Sequence, residues 1–326
     1  MLSRKYFFYV FFFISFLVGL VLFYRSIRTV GPLVAITQIA PHPSLDEIRR
    51  GITECLELAG IGSDQILFQN AQGSPATALQ IAQKFVSLKP KVIVPITTPS
   101  AQAAYSVAKG AHIPVIFSAV SDPRAAKLYD PNGENKLVAG VSDMSPVKEQ
   151  VQLIRHIFPT LTVVGVIYNA GEANSVALID AFEKEAKVVD VKIIHSTVTG
   201  TNDVSTAVMN LVGKVGVIYI PNDNTAISAF ESIVKITNKY KMAVFTADPE
   251  SVTRGALGCI AHNQYNLGKK TGELIIQYLI DHKSIEQLGI QKPDRIELTL
   301  NLKTASSIGI PLPQDLVRKA TFLIKE

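Results

Sequence analysis

The fold class predicted from the sequence is α/β: two doubly wound parallel-sheet lobes joined by a multi-strand hinge, preceded by one N-terminal transmembrane helix. Three observations carry that prediction. Short apolar runs alternate with helical patterns of 10–15 residues, which implies parallel sheets covered by helices on both faces. The pattern restarts near Val141, dividing the chain into two similar halves. Tyr6 to Tyr24 is an uncharged run of 19 residues holding seven of the 15 Phe and three of the 10 Tyr.

That run comes first. At about 1.5 Å per residue a helix of this length spans a bilayer core of about 30 Å. Arg4 and Lys5 precede it, Arg25 and Arg28 follow it, and Tyr6, Tyr9 and Tyr24 suit the interfaces. Residues 6–24 therefore read as an uncleaved anchor, with the large domain exported to the periplasmic side of the inner membrane. A cleaved signal is the alternative reading.

From Leu33 the elements follow in order. LVAITQIA is a strand. Ser44 opens a helix, with Glu47 three residues later as its capping box, and Gly60 ends it. Leu45, Ile48, Ile52, Leu56 and Ala59 form its apolar stripe. QILFQNA, the helix PATALQIAQKFVSL, KVIVPIT, the helix AQAAYSVAKG and the strands IPVIFSAV and LVAGVSD complete the first half. The second half reads PVKEQVQLIRHIF, TVVGVIYN, ANSVALIDAFEKEAK and DVKIIHSTV, then a helix near Asn202 and VGVIYIPN. One helix from Thr225 to Tyr240, the strands MAVFTAD and ALGCIAHN, and a helix from Tyr265 to Asp281 come next. RIELTLN and two short helices close the chain. Lobe 1 is expected to take residues 33–141 and 262–285, and lobe 2 residues 142–261 and 286–326, with hinges at Val141–Ser145 and Ala261–Gln264. A closed (β/α)8 barrel uses the same alternation, and strand number alone does not separate the two.

The composition excludes several functions. The net charge of +5 rests on four bases that precede the first acidic residue, Asp46; the remainder carries 28 bases against 27 acids. The basic pI therefore gives no support for a nucleic-acid groove, which needs a clustered basic face on the folded domain. Two cysteines, Cys55 and Cys259, make no disulfide framework. No P-loop, dinucleotide fingerprint, nucleophile elbow, zinc-protease motif or CxxC appears. The six histidines, at 42, 112, 156, 195, 262 and 282, have no metal-ligand spacing. No cofactor, metal or catalytic residue is assigned.

Ligands of open α/β sheets bind outside the carboxyl ends of the strands. The loops there read ITQIAPHPS, FQNAQGSP, TTPSAQA, SAVSDP, YNAGEANS, PNDNT and TADPES. Several open directly into helices, whose free N–H groups suit an anion; Ser, Thr, Asn and Asp also cap helices whatever the function. Asp122, Asp223, Asp248, Glu172 and Glu250 are the acids placed to meet a cation, and His42 lies in the first loop. An aromatic ligand would stack on one or two of Tyr105, Phe117, Tyr168, Tyr219 and Tyr265, which otherwise read as core.

Taken together, HPSLD, TPSAQA, VSDP, GVSD, YNAGEANS, PNDNT, ADPESV followed by GAL, and NLKTASSIGI resemble the tryptophan/tyrosine-type substrate-binding proteins of ABC transporters. The resemblance runs from Leu33 to Lys325. It implies a type I periplasmic-binding-protein fold, an aromatic amino acid as ligand, delivery to a membrane permease, and no chemistry on the ligand. It implies ligand contacts from Thr98 and Ser100, from Glu172, Asn174 and Ser175, and from Asp223 and Asn224. Asp248 would meet the ligand's amine, and Asp122 would lie at the cleft edge. Ala170 stands where the family often has proline, and no lipid-bearing cysteine follows the anchor. His42, Tyr105 and Tyr168 are added from the loop reading. The function expected is capture of a small, aromatic amino acid for an ABC importer. A membrane-tethered sensory ectodomain would share fold and site, and an α/β enzyme would need an acid–base pair that the sequence does not identify.

Overall fold

The computed structural model describes residues 32–129 and 137–325. The expected anchor, residues 6–24, lies outside them. Among the described residues no helix is long and apolar enough to cross a membrane.

The first half builds β1 (Val34–Gln38), α1 (Pro43–Leu58), β2 (Ile66–Asn70), α2 (Pro75–Leu88), β3 (Val92–Ile96), α3 (Thr98–Ala111), β4 (Val115–Val120) and β5 (Val138–Ser142). The second builds α4 (Val147–Ile157), β6 (Val163–Asn169), α5 (Ala173–Val188), β7 (Lys192–Val198), α6 (Val204–Met209) and β8 (Val217–Ile220). It continues through α7 (Asn224–Ser228), α8 (Phe230–Lys239), β9 (Ala243–Thr246), α9 (Glu250–Thr253) and β10 (Gly258–His262). The chain ends with α10 (Gln264–Leu279), α11 (Ile285–Leu288), β11 (Ile290–Gln291), β12 (Ile296–Asn301), α12 (Leu302–Ile308), α13 (Gln314–Lys319) and β13 (Phe322–Ile324).

Two sheets result, ordered β11-β5-β4-β3-β1-β2 and β13-β12-β10-β9-β8-β6-β7. Two open sheets replace the closed-barrel alternative. Every pairing is parallel except β10 with β12, which is antiparallel. Central strands are apolar at successive positions because both sheet faces are covered. In β8, Tyr219 packs into one core while Ile218 and Ile220 pack into the other, on the opposite face. Phe182 of α5 stacks on Tyr219 at 4.0 Å between ring centroids.

Four details differ from the sequence reading. α1 starts at Pro43, its N-cap is His42, and no side chain caps it. Proline suits the first turn, where no N–H is needed, so Ser44 falls inside the helix and its hydroxyl is freed for another partner. The single helix expected from Thr225 to Tyr240 breaks at Ala229 into α7 and α8. Short β13 extends the second sheet beside β12. Finally, β11 pairs with β5 in the first sheet, and Ile285 and Leu288 sit in the first core. The return from the first sheet to the second therefore falls between Gln291 and Ile296, later than the expected boundary at 285/286.

Candidate functional site

The chain passes between the sheets after β5, after β10 and after β11. Loops at the carboxyl ends of the parallel strands of both sheets then meet across a cleft. Its inner compartment has a volume of about 30 Å3 and is lined by His42, Ser44, Thr97 and Thr98 from the first unit. Asn174, Asn222, Asn224 and Asp248 face them from the second, and Asp143 and Gln264 come from the crossing segments. That volume admits about one water, so the lobes are closed upon each other. Ser44 Oγ donates across the gap to Asp248 Oδ1.

An outer compartment of about 930 Å3 adjoins it and shares Asn224. Ile39, Pro41, Pro75, Leu79 and Pro99 supply its first wall, and Asn169, Gly171, Glu172, Thr199 and Thr201 its second.

Unpartnered polar atoms mark where the inner compartment is incomplete. Both ring nitrogens of His42, the hydroxyls of Thr97, Thr98 and Ser100, and Asn174 Oδ1 are buried without a hydrogen-bond partner. Leaving such a group unsatisfied costs about 1–3 kcal/mol, and this set lies at or beside one cavity. The backbone is strained there as well. Thr97 has φ +76° and ψ 164°, a region populated essentially by glycine, and Ala119 at the β4 irregularity has φ +57°. Burial lowers the His42 pKa, Arg254 reinforces this, and Asp248 and Asp46 oppose it. The ring is held neutral, with one donor and one acceptor nitrogen.

The acids divide into two groups. Asp248 Oδ2 accepts from the Ser251 N–H at 3.0 Å and from the Ser251 hydroxyl, and Oδ1 accepts from Ser44. A carboxylate offers about four acceptor sites, so one is left unused on a residue that lines the inner compartment. Glu172 is spent on the second unit: Oε2 accepts from Asn224 N and Nδ2, and Oε1 from Thr225 N and Oγ1. Asp223 is fully buried and caps α7 through Ala226 N at 2.7 Å. Its Oδ2 accepts from Asn169 N at 2.6 Å and from Ser175 Oγ at 2.7 Å. Burial first, and then negative Glu172, push the Asp223 pKa up. Asp223 and Ser175 line neither compartment; they hold the loop that presents Asn174 and Asn224.

Other expected positions fall outside. Asp122 Oδ1 accepts from Arg124 N at 2.9 Å and Ala125 N at 3.0 Å, as an Asp-Pro turn requires. Tyr168 points to His195 Nδ1, with its hydroxyl 3.3 Å away. Lys109 lies over the Tyr105 ring, and Tyr265 donates to Glu54. Phe117 and Tyr219 are wholly buried. None of these aromatic residues, and no other Phe or Tyr among the described residues, lines either compartment. Of the two readings open for these rings, Phe117 and Tyr219 follow the core one, turned inward from β4 and β8, and Tyr105 packs against the first core from α3.

Ser44, Thr97, Asp143, Asn222 and Gln264 are site residues that the sequence reading missed. Asp143 Oδ1 is 2.8 Å from His262 Nδ1, and its Oδ2 accepts from Asn222 Nδ2 at 3.2 Å and Gln264 Nε2 at 3.4 Å. The signal was its position at the end of β5, inside a segment expected to be a hinge.

Two α/β lobes closing a polar cleft at their strand ends define a solute-binding protein. The chain belongs to the ABC transporter substrate-binding protein family, whose model matches residues 33–324. It is 35% identical over 284 residues to a tyrosine-binding protein of Clostridioides difficile, covering 85% of this chain and 81% of that one. It resembles the structure of an ABC domain in complex with L-Trp from Streptococcus pneumonia. That match has TM-score 0.84 and 29% identity, over 89% of this chain and 100% of the other. The ligand-free, open structure of a substrate-binding protein with adhesive properties from Clostridium difficile matches with TM-score 0.66 and 33% identity, covering 90% and 99%.

Proposed function

We propose that this chain captures an α-amino acid with a large ring side chain in the interlobe cleft and presents it to an ABC permease. The domain is exported and tethered by residues 6–24, and the ligand leaves chemically unchanged. The observation that carries this reading is the group of buried, unpartnered polar atoms on His42, Thr97, Thr98, Ser100 and Asn174. Hydroxyls at the start of α3, together with the free N–H groups of that 14-residue helix, suit a carboxylate. The remaining acceptor site of Asp248, with Asn174 Oδ1, suits an ammonium group. The tyrosine-binding relative and the L-Trp complex support a ring-bearing ligand.

The test is a thermal-shift and calorimetric screen of the twenty amino acids on the full chain in detergent. A ligand at 100 times its Kd stabilises the folded form by about 2.7 kcal/mol. Trp or Tyr should raise Tm, and Asp248→Ala should weaken binding by about 10–150-fold, the worth of a hydrogen bond to a charged partner. An unmoved melting curve with Trp, Tyr and Phe would refute the aromatic assignment.

A further inference from the structure

The two compartments differ in a way that assigns separate tasks to them. The inner one is small, and it is lined by His42, Thr97, Thr98 and Asn174, which carry buried polar atoms without partners, beside apolar Leu45, Ala119 and Ile227. The outer one is about thirty times larger, at about 930 Å3 against about 30 Å3. Its rim residues Gln72, Gly73 and Thr201 are exposed. Its apolar wall is made from Ile39, Leu79 and the flat faces of Pro41, Pro75 and Pro99. Its only charged side chain, Glu172, already has both oxygens occupied by Asn224 and Thr225. No Lys, Arg or His lines it, so an anionic ligand tail would find no counter-ion there. An aromatic tail would find apolar area without a ring pressed against it to fix its outline.

Resting on the amino-acid reading above, we infer that the cleft recognises the α-ammonium and α-carboxylate strictly and the ring permissively. It accordingly accepts amino acids whose rings bear bulky uncharged substituents. The residues of the inner compartment contact the head group, with the lobes less tightly shut than in this closed form. The ring passes between Asn224 and the proline wall, and its substituent extends into the outer space. A pocket that encloses a side chain on all sides changes affinity by about 10–200-fold for one methylene. A wall on one side and solvent on the other does not impose that penalty.

The experiment is calorimetric titration of the full chain with L-tryptophan, L-tyrosine, 5-benzyloxy-L-tryptophan, O-benzyl-L-tyrosine and N-acetyl-L-tryptophan. The benzylated ligands should bind within about tenfold of their parents, and N-acetylation should cost more than about 100-fold. Thr201→Trp narrows the outer compartment from its exposed rim. It should weaken the benzylated ligands by about tenfold more than it weakens tryptophan. If the parents bind and the benzylated ligands lose more than about 100-fold, the permissive tail is wrong. If N-acetyl-tryptophan binds as well as tryptophan, the strict head group is wrong. If neither parent amino acid binds, the functional reading itself fails and takes this inference with it.

Discussion

His42 shows most clearly how one residue serves two levels of structure. It is the N-cap of α1 yet makes no capping bond, and both its ring nitrogens are buried and free. Burial lowers its pKa below the ordinary value of 6.5. The closed form therefore favours the neutral ring, while the open form takes up a proton as pH falls through about 6.5. Above that pH closure is unaffected; below it, protonation of the open form competes with closure. Ligand Kd should rise by up to about tenfold between pH 6.5 and 5.5, the limit for one linked proton. His42→Asn should bind more weakly at pH 7.5 and lose this added pH dependence. Calorimetry at pH 7.5, 6.5 and 5.5 checks it; an unchanged slope in the variant would show that His42 is not the linked group.

At the scale of elements, the tightest packing joins α1 to α10. Both helices begin at the cleft, α1 after His42 and α10 at Gln264. Glycines make their approach possible. A Cβ on Gly51 would overlap the Tyr265 carbonyl oxygen, one on Gly268 would overlap that of Ile48, and one on Gly272 would lie 2.6 Å from Cys55 Cβ. Gly268→Ala should destabilise the protein by about 1–3 kcal/mol, because backbone rather than a flexible side chain must give way. Gly110→Ala, in α3 with nothing within 4 Å of the added carbon, should stabilise by about 0.4–1 kcal/mol. Denaturant unfolding of both variants measures the difference. The apolar stripe of α1 was legible: Leu45, Ile48, Ile52 and Leu56 are all buried as their spacing implies. Its capping box was not, since Pro43 moved the helix start and Ser44 turned toward Asp248.

For the whole molecule, closure depends on contacts between residues far apart in sequence. Ser44 and Asp248 are 204 positions apart, and Asp143 and His262 are 119 apart. The second pair joins two of the segments that cross between the sheets, after β5 and after β10. Ser44→Ala removes the hydroxyl that bridges the closed lobes, so the ligand-free variant should populate open forms. Small-angle scattering should then report a larger radius of gyration than for the parent, converging on the parent's value when ligand is saturating. Equal radii without ligand would show that Ser44 does not hold the lobes together.

The alternation of apolar strands and amphipathic helices, the restart near Val141 and the loops at the strand ends were all determined by the sequence alone. These are local properties: side-chain periodicity and helix capping act over a few residues. The strands and loops of Thr98, Asn174, Asn224 and Asp248 could therefore be identified without coordinates. Only the tertiary structure decided which polar groups remained free. Glu172, Ser175 and Asp223 look like ligand contacts in sequence; in the fold their side chains engage neighbouring loops, and Glu172 also lines the outer compartment. Thr97 and Asp143 look unremarkable and line the cavity. Hydrogen-bond satisfaction is settled by partners that arrive through folding from 50 to 200 positions away. The same long-range packing left Phe117 and Tyr219 in the cores and brought Pro41, Pro75 and Pro99 to one wall of the cleft.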